Sequence, residues 1–374
     1  MRKVKFQEIF DFQKKSKVKA GEGLNKGIYP FFTSSNILSK FINEYSFENE
    51  SLVFGTGGQA SIHFCDDKFN VSTDCFVTQL KENIDCETKY IYYFLSGNIH
   101  ILEREFKGAG LKHISKVAIQ NIQIPLPPLP QQKHIAQVLD KADALRKKNK
   151  ELLQEYNELQ QSVFLDMFGD PVTNSMGWEN RFLSTCYIND KEGTKCGPFG
   201  SALKKHEYTE KGIPVWVMDN IEVDGFKQNK SLFISDDKFK ELKKYQTFKG
   251  DIIISRAGTV GKMCEISTEK PAIISTNLIR LRLNQDILLP LYFITLMNNW
   301  GSKVTRLKTG NDGAFTHMNT GTLNKINFPL PPIDLQNKFT TIIENIEKQK
   351  EKVKESLAYS EDLFGALVQR YFKE

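Results

Sequence analysis

Arg256 and Lys262 bracket a Gly258-Thr259 turn. Two cations beside a turn with free backbone N–H groups are suited to gripping a phosphate. The same half of the chain supplies Lys204, Lys205, Asn220, Thr259, Asn311, Thr316 and His317. The other half supplies a polar run, Thr33, Ser34, Ser35 and Asn36. It adds Thr56 and Gln59 behind an apolar strand, and then Lys107, Lys112 and His113. Lysine and arginine neutralise phosphates, while Asn, Gln and Arg present the paired groups that match base edges. The chemistry these residues offer is therefore recognition of a nucleic acid. Asn36 and Asn220 are equally suited to capping turns. His113 and His317 occupy matching places in the two halves and are equally suited to bracing a globular part against a helix. Asp74 and Asp219 read as structural.

Catalytic machinery is missing by contrast. The chain has no G-x-x-x-x-G-K-[ST] loop for a nucleoside triphosphate. It also lacks an Asp/Asn-Pro-Pro-aromatic motif that would hold a target amine for methyl transfer. The Phe54-Gly55-Thr56-Gly57-Gly58 run has the wrong spacing for a cofactor loop and reads as a turn. Asp219 with Glu241 and Lys243 imitates a nuclease carboxylate set, but it lies in a Lys/Glu run that reads as a solvated helix face. No catalytic or metal-ligating residue is assigned. The six cysteines contain no C-x-x-C pair and read as reduced thiols of a cytoplasmic protein. The first residues lack a signal-peptide core, and the longest apolar run, 287–297, is broken by Pro290 and too short for a bilayer.

Charge and length bound the remaining choices. The 374 residues with 40% hydrophobic content suffice for roughly two or three cored domains. The net charge of +6 is concentrated: +2 in residues 1–124 and +5 in 169–328, against zero in 125–168 and −1 in 329–374. Each basic segment is thus followed by a near-neutral one, and the basic segments favour polyanionic partners.

An internal repeat positions these candidates. Residues 124–168 and 328–372 align without a gap at an offset of 204, with 11 of 45 positions identical. Pro125, Pro127, Pro128, Gln132 and Phe168 match Pro329, Pro331, Pro332, Gln336 and Phe372. Proline lacks an N–H and clashes with the preceding turn, so each Pro-rich run reads as an extended lead-in to a helix. The first helix shows heptad spacing, with one seam at Ile135, Ala142, Asn149, Tyr156 and Val163 and the other at Val138, Leu145, Leu152 and Leu159. About 36 residues at 1.5 Å each give a rod of about 54 Å. The second has a looser stripe, Phe339, Ile342, Ile346, Val353, Leu357, Leu363 and Leu367, interrupted by Gln349 and Ser360. Neither stripe can be buried alone, so the helices are expected to pack on each other, with Asn149 fixing register.

The stretches before the rods read as two α+β heads rich in short strands, with brief buried helices near 90–95 and 291–297. The expected division is 1–124, a first head; 125–168, lead-in and first helix; 169–328, a second head; and 329–374, lead-in and second helix. The heads are related: an apolar strand runs into a Gly/Thr turn in each, and a histidine precedes each Pro-rich run by 12 residues.

Taken together, IPLPPLPQQKHIAQVL, the Met167-Phe168-Gly169-Asp170-Pro171 junction before Gly177-Trp178, and Gly197-Pro198-Phe199-Gly200-Ser201 leading to Gly212-Ile213-Pro214 resemble the specificity subunits of Type I restriction–modification enzymes. The resemblance covers essentially the whole chain. It implies two target-recognition domains joined by an antiparallel coiled coil in a pseudo-twofold repeat, each reading one half of a split, asymmetric site on double-stranded DNA. It also implies partners: methylation subunits, two of them, and restriction subunits. Adenine methylation with S-adenosylmethionine and cleavage with ATP and Mg²⁺ would belong to those partners and none to this chain. One departure is that the first head lacks a counterpart of 197–201 and is about 35 residues shorter, so the two heads should read different sequences. The competing readings are a stand-alone nuclease or methyltransferase and an interaction scaffold that binds no DNA.

If the helices carry the gap between half-sites, inserting one heptad into both should lengthen the unread gap in the methylated sequence. An unchanged gap would contradict that role.

Overall fold

The computed structural model describes residues 2–222, 225–228, 232–257, 260–300 and 318–372. The chain closes into two compact units, Met1–Leu153 with Lys352–Glu374, and Gln154–Glu351. Each unit therefore contains a head and a segment from each of two long helices.

Those helices run Leu129–Phe168 and Ile333–Phe372, 40 residues each, or about 60 Å of helix. The first begins earlier than its sequence predicts, with Pro130 in its opening turn. Proline is harmless there, because the first N–H groups of a helix have no intrahelical acceptor. In the first unit, Asn149 Nδ2 donates to Ser356 Oγ at 3.1 Å and faces Ser360 Oγ at 3.4 Å. Lys150 pairs with Glu361 at 3.0 Å, and the Arg146 guanidinium lies 4.2 Å from the Phe364 ring centre. In the second unit, Gln160 Nε2 donates to Glu347 Oε1 at 2.6 Å, and Phe164 meets Phe339 edge-on at 5.8 Å. Numbers rise on one segment as they fall on the other, so the segments are antiparallel within each unit.

The first expected seam is inside: Ile135, Ala142 and Asn149 are buried, Tyr156 and Val163 half-buried. The second is only partly so: Val138 and Leu152 are half-buried, while Leu145 and Leu159 are exposed, at 41% and 45%. The buried or half-buried row is instead Leu139, Arg146, Leu153, Gln160 and Met167, one residue further round. In the first unit the head also claims its own share of the helix surface: Asp140 is bonded by Tyr93 Oη at 2.7 Å and by Lys89 Nζ at 3.0 Å. Similarly Ile343 is buried on the second helix and its neighbour Ile342 is exposed. The polar interruption at Ser360 is matched across the seam by Asn149.

The repeat reappears as the same bonds made twice. Gln132 is buried: its Nε2 donates to the Pro127 carbonyl at 2.7 Å and its Oε1 accepts from Glu87 N–H at 3.0 Å. Gln336, also buried, donates to the Pro331 carbonyl at 2.9 Å and accepts from Leu289 N–H at 2.9 Å. Tyr90 Oη donates to Pro125 O at 2.8 Å, and Tyr292 Oη to Pro329 O at 2.9 Å. The lead-in before each helix is a strand paired antiparallel to the strand that opens its head, Lys3–Lys5 with Gln123–Pro125 and Asn180–Phe182 with Asn327–Pro329. Aromatic rings finish each joint: Phe372 lies 5.5 Å from Tyr90 and 5.6 Å from Phe94, and Phe168 lies 4.8 Å from Tyr292 and 5.2 Å from Phe339.

The heads are α+β. In the first, Phe10–Phe12, Cys75–Leu80, Ser51–Gly55 and Ser61–Cys65 form a four-stranded antiparallel sheet in that order. A three-stranded sheet adds a parallel pair, Tyr29–Phe32 with Asn70–Val71. In the second, Thr194–Cys196, Leu278–Leu281, Ile252–Ser255 and Met263–Glu265 form the equivalent sheet. Its five-stranded companion has a matching parallel pair, Ile213–Trp216 with Ala272–Ile274. The short apolar helices are Thr88–Gly97 and Pro290–Asn299.

Gln132→Met and Gln336→Met should each lower the denaturation midpoint, because each strands buried backbone partners at about 1–3 kcal/mol per orphaned group. Urea unfolding followed by circular dichroism measures this, and an unchanged midpoint would mean the glutamines do not hold the joints.

Candidate nucleic-acid interface

Three loops of the first head converge. The chain leaves the strand Tyr29–Phe32 into residues 33–36, leaves Ser51–Gly55 into 56–59, and returns through 107–113 before entering the lead-in. Ser34 Oγ donates to the Asp74 carbonyl at 2.8 Å and accepts from Gly57 N–H at 3.3 Å. Thr56 uses both its N–H and its hydroxyl on that same Asp74 carbonyl, at 2.9 and 3.0 Å. Gly58 N–H donates to Lys112 O at 3.2 Å, and Ile114 N–H to Thr56 O at 3.1 Å. Thr33, Ser34, Ser35, Asn36, Thr56, Gln59, Lys107, Lys112 and His113 are thereby brought into one surface, and Ser35, Asn36, Gln59, Lys107, Lys112 and His113 are exposed.

Two features hold the surface in shape. A Cβ on Gly55 would lie 2.2 Å from Ser61 Oγ and 2.9 Å from Ser34 Cα, so only glycine lets the 33–36 loop cross the strand. His63 Nε2 donates to Ser35 O at 2.8 Å. Burial holds its pKa below the ordinary histidine value despite that bond, leaving a neutral ring near pH 7. His113 is a brace, but not between head and helix. Its Nδ1 meets Thr56 O at 3.1 Å and it forms a bridge with Gly57, so it ties one loop to the next. Leu111, 78% exposed among these cations, was not singled out in the sequence; only its Gly-rich setting marked it.

In the second head, Arg256 and Lys262 flank a turn closed by Ser255, whose N–H donates to Lys262 O at 2.8 Å and whose Oγ accepts from Lys262 N–H at 3.0 Å. Arg256 O accepts from Met318 N–H at 3.0 Å, the counterpart of the Ile114 to Thr56 bond, with the donor 204 and the acceptor 200 residues further on. Lys204 and Lys205 are exposed at the turn Lys205–Glu207, and no hydrogen bond or ion pair among the described residues ties them to the Arg256 turn. Asn220 is corrected by the structure. It is fully buried, its Oδ1 accepts from Val217 N–H at 2.7 Å and its Nδ2 donates to Lys227 O at 2.6 Å. It shapes the chain between two strands and presents nothing to a ligand. Thr259, Asn311, Thr316 and His317 lie outside the described residues.

The charge surplus of this head is partly consumed internally. Arg280 is buried against Glu192 at 2.7 Å and the Gln246 carbonyl at 2.6 Å, and Arg282 grips Asp251 through two bonds of 2.7 and 2.8 Å. The hydrogen bond from Arg280 keeps Glu192 below the usual carboxylate range. A cleft of about 850 Å³ in the second unit, lined by Glu265, Glu344 and Glu347 with Lys348 and Lys350, carries the wrong sign for phosphates. Among the described residues no three His, Cys, Asp or Glu side chains are grouped to hold a metal ion, and no helix is long and apolar enough to cross a membrane.

The comparisons with known proteins agree on one family. The model of the Type I restriction modification DNA specificity domain matches residues 1–158 and 199–358. The Type I restriction enzyme MjaVIII specificity subunit of Methanocaldococcus jannaschii is 24% identical over 365 residues, covering 91% of this chain and 85% of that protein. The EcoDI specificity subunit of Escherichia coli is 32% identical over 124 residues, 33% of this chain and 27% of that one. The crystal structure of a Type I restriction–modification S subunit from M. genitalium superposes with a TM-score of 0.68 at 16% identity, over 100% of this chain and 96% of that chain, a likeness of fold.

Because Glu192 has a depressed folded-state pKa, its contribution is present above the ordinary carboxylate value and lost as pH falls through the lower folded one. Glu192→Gln should therefore flatten the acid limb of the second head's stability profile. An unaltered acid limb in a pH series of thermal melts would contradict this.

Proposed function

The chain belongs to the Type I restriction–modification DNA specificity family, and from that membership we propose that its two heads read two unlike halves of a split, asymmetric site in duplex DNA. It is a specificity subunit, the sequence-reading component of such an enzyme, and it is not itself catalytic. The single observation that supports assigning the reading surface is the convergence of the 33–36, 56–59 and 107–113 loops on one exposed patch of cations and amides. Lys107 and Lys112 hold phosphates there, and Asn36 and Gln59 face base edges, where a side-chain amide pairs with adenine. In the second head Lys204, Lys205, Arg256, Thr259, Lys262, Asn311, Thr316 and His317 carry the corresponding task.

The partners are methylation subunits, two per chain, and restriction subunits, working in the cytoplasm. S-adenosylmethionine serves adenine methylation on the former; ATP and Mg²⁺ serve cleavage by the latter. This chain supplies neither a methyl-donor site nor a nucleotide site to that chemistry. Its contribution is the difference in free energy between the correct site and every other.

The test is a competition binding assay on the complex with its methylation subunits, across a salt series. Phosphate neutralisation makes affinity fall steeply with salt. Lys107→Ala and Lys112→Ala should each weaken binding to all sequences alike and reduce the salt slope by about one. Binding indifferent to salt would favour an interaction scaffold. Cleavage or methylation persisting with catalytically dead partners would mean the chain is an enzyme.

A further inference from the structure

We propose that Phe199 is a positioning residue that aims the Arg256 guanidinium at the major-groove edge of a guanine in the half-site read by the second head. The proposal rests on the DNA-reading function above and assigns one base contact within it.

The geometry starts from how the two side chains are anchored. Arg256 follows the strand Ile252–Ser255; its N–H donates to Asn277 O at 2.9 Å and its carbonyl accepts from Met318 at 3.0 Å. The turn bearing Phe199 is tied to the same stretch. Gly197 N–H donates to Leu278 O at 3.0 Å, and Thr276 Oγ1 donates to Pro198 O at 2.7 Å. The approach is so close that a Cβ on Gly197 would lie 1.9 Å from Ser275 O. Residues 275–278 therefore hold both backbones, and the guanidinium carbon rests 4.7 Å from the Phe199 ring centre.

Phe199 is 53% exposed, so the ring is not there to fill a core. Arg256 Nε is buried without a hydrogen-bond partner, and among the described residues no carboxylate or carbonyl pairs with the guanidinium. The neighbouring arginines differ. Arg282 also stacks on an aromatic ring, Phe248 at 4.4 Å, but Asp251 occupies its fork; Arg280 is committed to Glu192 and Gln246. Arg256 is a stacked arginine with its outer fork unspent.

Orientation decides the ligand. A phosphate accepts a cation from many directions, and a flexible lysine serves it well. A planar fork fixed on an aromatic face has lost that freedom and is matched to two coplanar acceptors, which guanine O6 and N7 provide in the major groove. The first head has nothing equivalent. Thr56 stands where Arg256 does, by the matching bond from Ile114, and no counterpart of 197–201 precedes it.

The experiment uses the complex with methylation subunits and duplexes in which each guanine of the second half-site is replaced in turn by 7-deazaguanine, which lacks the N7 acceptor. For the unaltered protein, one position should cost roughly 5- to 150-fold in affinity. Arg256→Ala should abolish sensitivity at that position, Phe199→Leu should shrink it at unchanged salt slope, and Phe199→Tyr should keep it. Should Phe199→Leu fail to fold, Phe199→Met carries the same expectation. The proposal is overturned if no position responds, if the half-site contains no guanine, if Phe199→Leu responds like the unaltered protein, or if Arg256→Ala weakens all sequences equally and lowers the salt slope by one. Failure of the underlying reading looks different: the unaltered complex would then show no preference for its own methylation sequence.

Discussion

Two long amphipathic helices, neither able to bury its apolar stripe alone, impose the constraint from which the rest of this fold follows. Each unit answers it in the same way, with antiparallel helix segments joined to a head by a buried glutamine, a tyrosine hydroxyl on a proline carbonyl, and a set of aromatic rings. The glutamine is the telling residue. A buried amide costs free energy unless every donor and acceptor is met, and Gln132 and Gln336 meet theirs by joining the Pro-rich lead-in to the loop before a head helix. A proline carbonyl of the lead-in and the buried amide that donates to it form one device used twice.

On that base the heads are free to diverge. The sheets keep a common plan, down to the parallel strand pair in each, while the loops at their ends do not. In the first head the exposed surface is hydroxyls, amides and two lysines knitted by backbone bonds. In the second, Arg256 lies over the Phe199 ring, and Arg280 and Arg282 are drawn into internal ion pairs. In the first head the hydroxyls of Ser34 and Thr56 go into holding the loops themselves.

Much of this was legible in the residues. Gapless repetition with prolines and a glutamine at fixed offsets carries the architecture, because those residue types are informative wherever they stand. The first seam was readable from its seven-residue spacing. The second was misplaced at Leu145 and Leu159, since periodicity records that a face is apolar but not which neighbour claims it, and the head takes part of the helix surface. Asn220 could not be assigned from sequence, because an asparagine that caps a turn and one that reads a base have the same composition and the same kind of neighbours. The contact of Phe199 with Arg256 joins residues 57 positions apart, and nothing local announces it. His113, equally suited in sequence to a DNA contact and to bracing the helix, ties one loop of its own head to the next.

The central claim is that each head independently reads its own part of one target. A genome-wide map of methylated adenines tests it most directly, made in cells carrying this chain with its methylation partner, before and after Asn36→Asp combined with Gln59→Glu in the first head. The account predicts one methylated motif made of two unlike elements around an unread gap, with the double substitution altering or erasing the requirement at one element only. A continuous motif, or a change spread over both elements, would contradict it.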